Sequence, residues 1–362
     1  MTDKPHKRKW IGILLFLVVY ITIFPRSLGK ELLIIPRWVV SVTDFAHPSS
    51  SPPLYGEQGK ERNIGFLLGD TVGYVTREGV LLYKEKVLHN AAISDRGFIN
   101  YSAVPKNLLL KDPWGRFCAN VQVDGYPFVR RSRLFVLSQD GCRITEVSSQ
   151  GEVKWEKDFN QLITTVDAGT SHTVVGLLDG SFFVLKDTGD VLYQEREREG
   201  ILHAVYCVSI SANDRFIGIV LGLHPQRGIL LERTVTGYRQ LSAFELSSDY
   251  RRSIQGLVVY PAGIFFFEDP EGIRLIDTNL SQPVRVSLEG KLQSISGPIA
   301  EGIVTAWTRT NGGHVFYGVN FYGKKVFFKS FPVEGPFCYK VWDSSFLIGI
   351  LDQILYFEVK AG

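Results

Sequence analysis

Methionine occurs once and cysteine four times in the 362 residues. The cysteines (Cys118, Cys142, Cys207 and Cys338) stand far apart, with no C-x-x-C pair. That spacing excludes a zinc ribbon and a dense disulfide framework, and suits small apolar side chains inside strands. It assigns no disulfide partners. A large charge of one sign is also missing: 40 basic against 37 acidic side chains leave +3. This near balance argues against a nucleic-acid partner, which would need a basic excess. Helical periodicity is missing after residue 30, because Gly, Pro or Asp turns interrupt most windows within three helical turns. The motifs of common chemistry are missing too. There is no HExxH or HxH pair, G-x-S-x-G elbow, Walker loop or G-x-G-x-x-G fingerprint. The sequence therefore assigns no catalytic residue, metal ligand or cofactor.

What remains is turn-rich and β-prone. Hydrophobic residues make up 45% and charged ones 21%, with 35 Gly and 24 Phe, a composition of ordered globular chains. The clearest stretch is Leu162–Glu197. Val174–Leu178 and Ser181–Leu185 flank Asp179-Gly180, and Val191–Glu195 follows Thr188-Gly189. Asp-Gly between two β-prone runs is a hairpin signal, because a two-residue loop of this type requires φ > 0. One such meander cannot bury both faces, so it must be a unit of something larger.

Equivalents of the second turn recur at Glu78-Gly79, Trp114-Gly115, Gln150-Gly151, Thr236-Gly237 and Tyr322-Gly323, with a glycine-free turn near Leu280-Ser281. The glycines up to Gly237 lie 36, 36, 38 and 48 residues apart. The first turn recurs at Gly69-Asp70, Asp140-Gly141, Glu271-Gly272 and Gly312-Gly313. A period of this length, each carrying four short strands, marks a β-propeller. The expected fold is all-β, a single propeller of eight four-stranded blades preceded by an N-terminal hydrophobic helix. Seven blades is the alternative, if Val87–Arg116 is only an insertion.

The last repeat supplies three strands, Cys338–Trp342, Phe346–Leu351 and Ile354–Lys360. An apolar strand is left over far upstream at Ile34–Val42. A ring leaves exposed edges unless its first and last blades are joined. Arg37–Val42 is therefore expected as the outer strand of the final blade. Residues 1–30 then form a basic tail and signal anchor, 31–61 the closing strand and connector, and 62–362 the propeller.

The repeat Tyr126–Trp155 carries Gly141, Gly151 and Trp155, and the next carries Gly180 and Gly189. This pattern resembles the quinoprotein-like, PQQ-type propeller repeat, and is similar to the WD40 class in size. The resemblance covers most of residues 60–362 and implies fold rather than activity. A quinone-dependent dehydrogenase of this type would imply a calcium site, an Asp base and adjacent cysteines. No two cysteines are adjacent here, so that enzyme, like a hydrolase on the same ring, is a less favoured reading.

Lys4, His6, Lys7, Arg8 and Lys9 precede Trp10 and the uncharged run Ile11–Phe24. Such a run partitions into a bilayer with its basic flank cytoplasmic. Its length suits an anchor or a signal-peptide core, but Pro25–Gly29 offers no A-x-A site. Membrane contact through residues 10–24 and export of the propeller to the periplasmic side are expected, with secretion after cleavage as the alternative.

Arg130, Arg131 and Arg133 fall in a loop between two strands, and Arg251 and Arg252 precede another strand. Loops of this kind could share one face of the ring and form a patch for an acidic partner or glycan. Asp70, Asp140 and Asp179 are read as turn formers. His172 and His314 are read as solvated loop residues. The functional expectation is a membrane-anchored, non-catalytic scaffold for other envelope proteins. A small-molecule or glycan sensor using the funnel is the alternative, and its oligomeric state is open.

Overall fold

A computed structural model describes residues 32–43, 63–196, 202–246, 252–277, 282–299, 302–342 and 344–361. The expected N-terminal helix and Arg251 lie outside them. Among the described residues, no helix is long and apolar enough to cross a membrane.

The strands build eight sheets arranged as blades. β1 (Leu32–Ser41) comes first in the chain. Blade 1 holds β2 (Ile64–Leu68), β3 (Thr71–Val75) and β4 (Leu81–Lys86). Blade 2 holds β5 (Asn90–Ser94), β6 (Gly97–Tyr101), β7 (Leu109–Lys111) and β8 (Phe117–Asn120). Blade 3 holds β9 (Tyr126–Arg130), β10 (Arg133–Leu137), β11 (Arg143–Val147) and β12 (Val153–Asp158). Blade 4 holds β13 (Ile163–Ala168), β14 (Thr173–Leu177), β15 (Ser181–Leu185) and β16 (Val191–Arg196). Blade 5 holds β17 (Leu202–Ile210), β18 (Phe216–Leu223), β19 (Arg227–Arg233) and β20 (Tyr238–Glu245). Blade 6 holds β21 (Gly256–Val259), β22 (Ile264–Asp269), β23 (Gly272–Asp277) and β24 (Val284–Ser287). Blade 7 holds β25 (Lys291–Ile299), β26 (Ile303–Thr310), β27 (Gly313–Asn320) and β28 (Lys325–Phe331). Blade 8 holds β29 (Phe337–Trp342), β30 (Ser345–Ile350) and β31 (Gln353–Ala361), and β1 completes it.

Val87–Arg116 is thus most of a blade, which settles the count at eight. β1 pairs antiparallel with β31 from Leu32↔Ala361 to Ser41↔Gln353, longer than the expected Arg37–Val42 closure. Blades stack face to face, so their middle strands must be apolar on both sides. Accordingly every residue of β14, β18 and β22 is buried, with no in-out alternation. Eight apolar clusters of described residues each join two neighbouring blades. Truncating a fully buried member such as Phe266 to Ala should cost about 3–5 kcal/mol.

The recurring glycine has a steric cause. At Gly189 φ is +84°, and a Cβ would stand 2.9 Å from the Trp155 side chain on the outer strand of the preceding blade. Gly79 repeats this with φ +87° against Trp38 of β1. Gly115 likewise faces Tyr83 of β4, which marks β4 as an outer strand. Blade 1 therefore has its second, third and fourth strands, and no described strand occupies its inner position. Asp95 and Lys340 cover the gap. The Asp95 carboxylate accepts the Gly65 N–H at 3.2 Å and pairs with the Lys340 ammonium, which also reaches the Gly65 carbonyl at 3.5 Å.

Candidate interaction surfaces

The arginine cluster grows from the β9–β10 hairpin. Its two turn residues, Arg131 and Ser132, take φ +49° and +64°, which closes the hairpin tightly and splays three arginines toward blade 4. Arg130 Nε donates to the Val166 carbonyl and Arg131 Nε to the Ala168 carbonyl, both at 3.1 Å. Arg131 also reaches the Ile210 carbonyl at the end of β17, 3.2 Å away, so one side chain links blades 3, 4 and 5 at one mouth of the ring. Asp167 beside it accepts the Ile210 N–H at 2.8 Å. Burial pushes its carboxyl above the usual range, against that hydrogen bond and the pull of Arg131 and Arg130.

Arg133 points inward. It forms a two-pronged ion pair with Glu146, which is almost fully buried and also accepts from Lys154 Nζ at 2.6 Å and Trp155 Nε1 at 2.8 Å. Burial alone would raise the Glu146 carboxyl, but Arg133 and Lys154 hold it below its ordinary value. Arg133 Nη1 further donates to the His172 carbonyl at 2.9 Å.

Arg252 belongs to the other face. Ser253 beside it donates to the carbonyl of Thr164 near the start of β13, whereas Arg131 reaches Ala168 at the end of that strand. Arg252 itself pairs with Glu268 at 2.5 Å. The structure gathers Arg130, Arg131 and Arg133 but does not bring Arg252 to them. The physical reason is strand alternation: the first loop follows an inner strand and the second precedes one.

The histidines differ from expectation. His172 and His314 are buried, 5% and 3% exposed, rather than solvated. Tyr238 donates its hydroxyl proton to the Asp214 carbonyl at 2.7 Å, so His172 Nδ1–H donates to the Tyr238 oxygen at 3.2 Å. This joins blades 4 and 5. His314 Nδ1 accepts from Trp307 Nε1 at 3.1 Å, and its ring stacks on Phe337 at 4.5 Å, joining blades 7 and 8. No local sequence signal marked either residue, because the partners come from distant strands. Asp140 and Asp179 do serve turns, accepting the N–H groups of Cys142 and Ser181 at 3.0 Å.

Two surfaces escaped the sequence reading. The β7–β8 hairpin meets β6 through a single rung, Phe98↔Lys111, and exposes Leu109, Trp114 and Phe117, the last 61% exposed. A polar cavity of about 410 Å³ opens on blade 7 beside Arg309, Asn311, His314 and Glu334. Among the described residues, no three His, Cys, Asp or Glu side chains gather as a metal-binding group.

This closed ring of eight stacked sheets, seven of them four-stranded among the described residues, defines a propeller, and the model of the β-propeller protein family matches residues 1–344. The chain belongs to that family. An uncharacterized protein of Treponema pallidum (strain Nichols) is 22% identical over 220 residues, 60% of this chain and 58% of the relative's length. Among solved structures, BamB from Moraxella catarrhalis aligns with a TM-score of 0.58 at 11% identity, covering 90% of this chain and all of that one. The computationally designed Ika8 protein aligns at 0.59 with 13% identity, over 83% of this chain and 94% of that one. At these identities the likeness is one of fold.

Proposed function

We propose that the chain is a membrane-anchored, exported propeller that serves as a non-catalytic scaffold for other envelope proteins. The observation that carries this reading is the β7–β8 hairpin. A short, weakly paired hairpin that exposes Leu109, Trp114 and Phe117 has the anatomy of a docking surface. Its loose ladder leaves backbone groups available for strand addition. Attachment through the uncharged run at 11–24 supports an envelope location.

A photo-crosslinking residue at position 117, used on native membranes, is expected to capture a reproducible protein partner. The same residue at Val191, on the outer strand of blade 4, should not. Failure to recover any partner at 117 would remove the scaffold reading. The polar cavity on blade 7 favours the second reading, a small polar ligand such as a sugar. Calorimetric titration with monosaccharides tests it, and Asn311→Ala should abolish any heat of binding.

A further inference from the structure

The outer strands of most blades carry charge or neutral polar groups, which protect a free sheet edge from pairing with other chains. β28 carries large exposed apolar groups beside its charges. Its sequence KVFFKSF presents Phe328 at 70% exposure and Val326 at 43%, with Tyr322 at 87% in the turn just before it. Lys325 and Lys329 flank Val326–Phe328, are exposed, and make no ion pair with a described residue. An edge strand with an uncovered phenylalanine is an association hazard unless something covers it.

The cover is indicated by where the chain enters the ring. Leu32 and Ile34 of β1 pack in the same apolar cluster as Phe327 and Phe331 of β28. The first described residue of the propeller thus belongs to the apolar cluster that β28 also joins, and Leu33 beside it is 58% exposed. The uncharged run ends at Phe24, and seven residues separate it from Leu32. Seven extended residues reach at most about 25 Å. The anchor run thus joins the rim where blades 7 and 8 meet. Aromatic rings interleaved with lysines are the composition of surfaces that sit at the headgroup level, where rings enter the interface and ammonium groups meet lipid phosphates.

We propose that the outer strand of blade 7, with Tyr322, Lys325, Val326, Phe328 and Lys329, lies on the surface of the bilayer that holds the anchor. The ring then stands edge-on to the membrane, with blades 7 and 8 down and both mouths open to the side. The proposal rests on the anchored reading above and adds an orientation to it.

The test uses the full chain reconstituted into phosphatidylcholine vesicles containing phosphatidylglycerol. In a Cys118→Ser/Cys142→Ser background, an environment-sensitive fluorophore is placed at Ser330→Cys on β28 or at Val191→Cys on blade 4. Vesicle flotation reports anchoring, and lipids carrying a headgroup nitroxide report contact. The expected result is flotation of both proteins, several-fold stronger lipid quenching at 330 than at 191, and loss of that difference in Lys325→Glu/Phe328→Ser. Flotation with equal quenching at both positions overturns the edge-on orientation and leaves the anchor standing. Failure to float overturns both. Shielding of position 330 from aqueous iodide without lipid quenching also overturns the proposal, and assigns the strand to a second copy of the chain.

Discussion

Lys340 and Asp95 meet as an ion pair across the inner edge of β2, although one belongs to the last blade and the other to the second. Together they engage both backbone polar groups of Gly65, the work an inner strand would otherwise do. Replacing Lys340 with Met leaves Asp95 and the Gly65 carbonyl without that partner. The expected loss is about 1 kcal/mol, the low end for a lost charged hydrogen bond, because both side chains are a third exposed and screened. A double-mutant cycle with Asp95→Asn in urea checks this. Additive losses would show that the two side chains do not act together.

Trp38 holds the ring closed from the outside. Its indole lies against Gly79, stacks on Tyr356 at 5.3 Å, and donates to the Arg77 carbonyl at 2.6 Å. Trp38→Ala should destabilise the propeller by about 3 kcal/mol, the lower end for a half-buried Trp. Replacing Gly79 with Val should also destabilise, through both its φ and its clash with Trp38. Urea midpoints measure both, and an unchanged midpoint in Trp38→Ala would show that β1 closes the ring by backbone pairing alone.

Acid should weaken the fold in two steps. Burial lowers the pKa of His172, although Asp214 opposes it, and burial likewise lowers that of His314. The unfolded chain binds these protons near pH 6.5 and the folded chain does not. The histidines' contribution is therefore complete above about pH 6.5 and is lost as pH falls through that value toward the folded pKa. Glu146, held below its ordinary 4.5, adds stability above about that pH and loses it below. Melting temperature followed from about pH 7.5 to about 3.5 should fall in both windows. His172→Gln/His314→Gln should lower the plateau but flatten the first step only.

The ring was legible because its turns obey a steric rule that repeats in sequence. Gly79 and Gly189 answer the same demand, an aromatic ring from the neighbouring blade, and no other residue type meets it without strain. The closing strand was legible for a related reason, since an apolar strand without a local partner has to find one. Arg133 was not legible as a core residue. Its partner Glu146 sits in RITEV, where nothing local distinguishes a buried acid from an exposed one. His172 and Tyr238 lie 66 residues apart, and only the stacking of two blades brings them together. That no described strand holds the inner position of blade 1 was hidden as well, because its two turns read like those of a complete blade.

The pairing of β1 with β31 also sets a clock. Arg37 and Glu358 bond across 321 residues, so the earliest-made strand of the ring waits for the latest. Blades 2 to 7 can form from local meanders as they are synthesised, whereas blade 8 cannot be completed until β31 has been made. Such distant pairings are slow to form, and until they do, unpaired edges of β31 and β1 remain open to other chains. Ring closure is in this sense a completion check, which a chain truncated before β31 cannot pass.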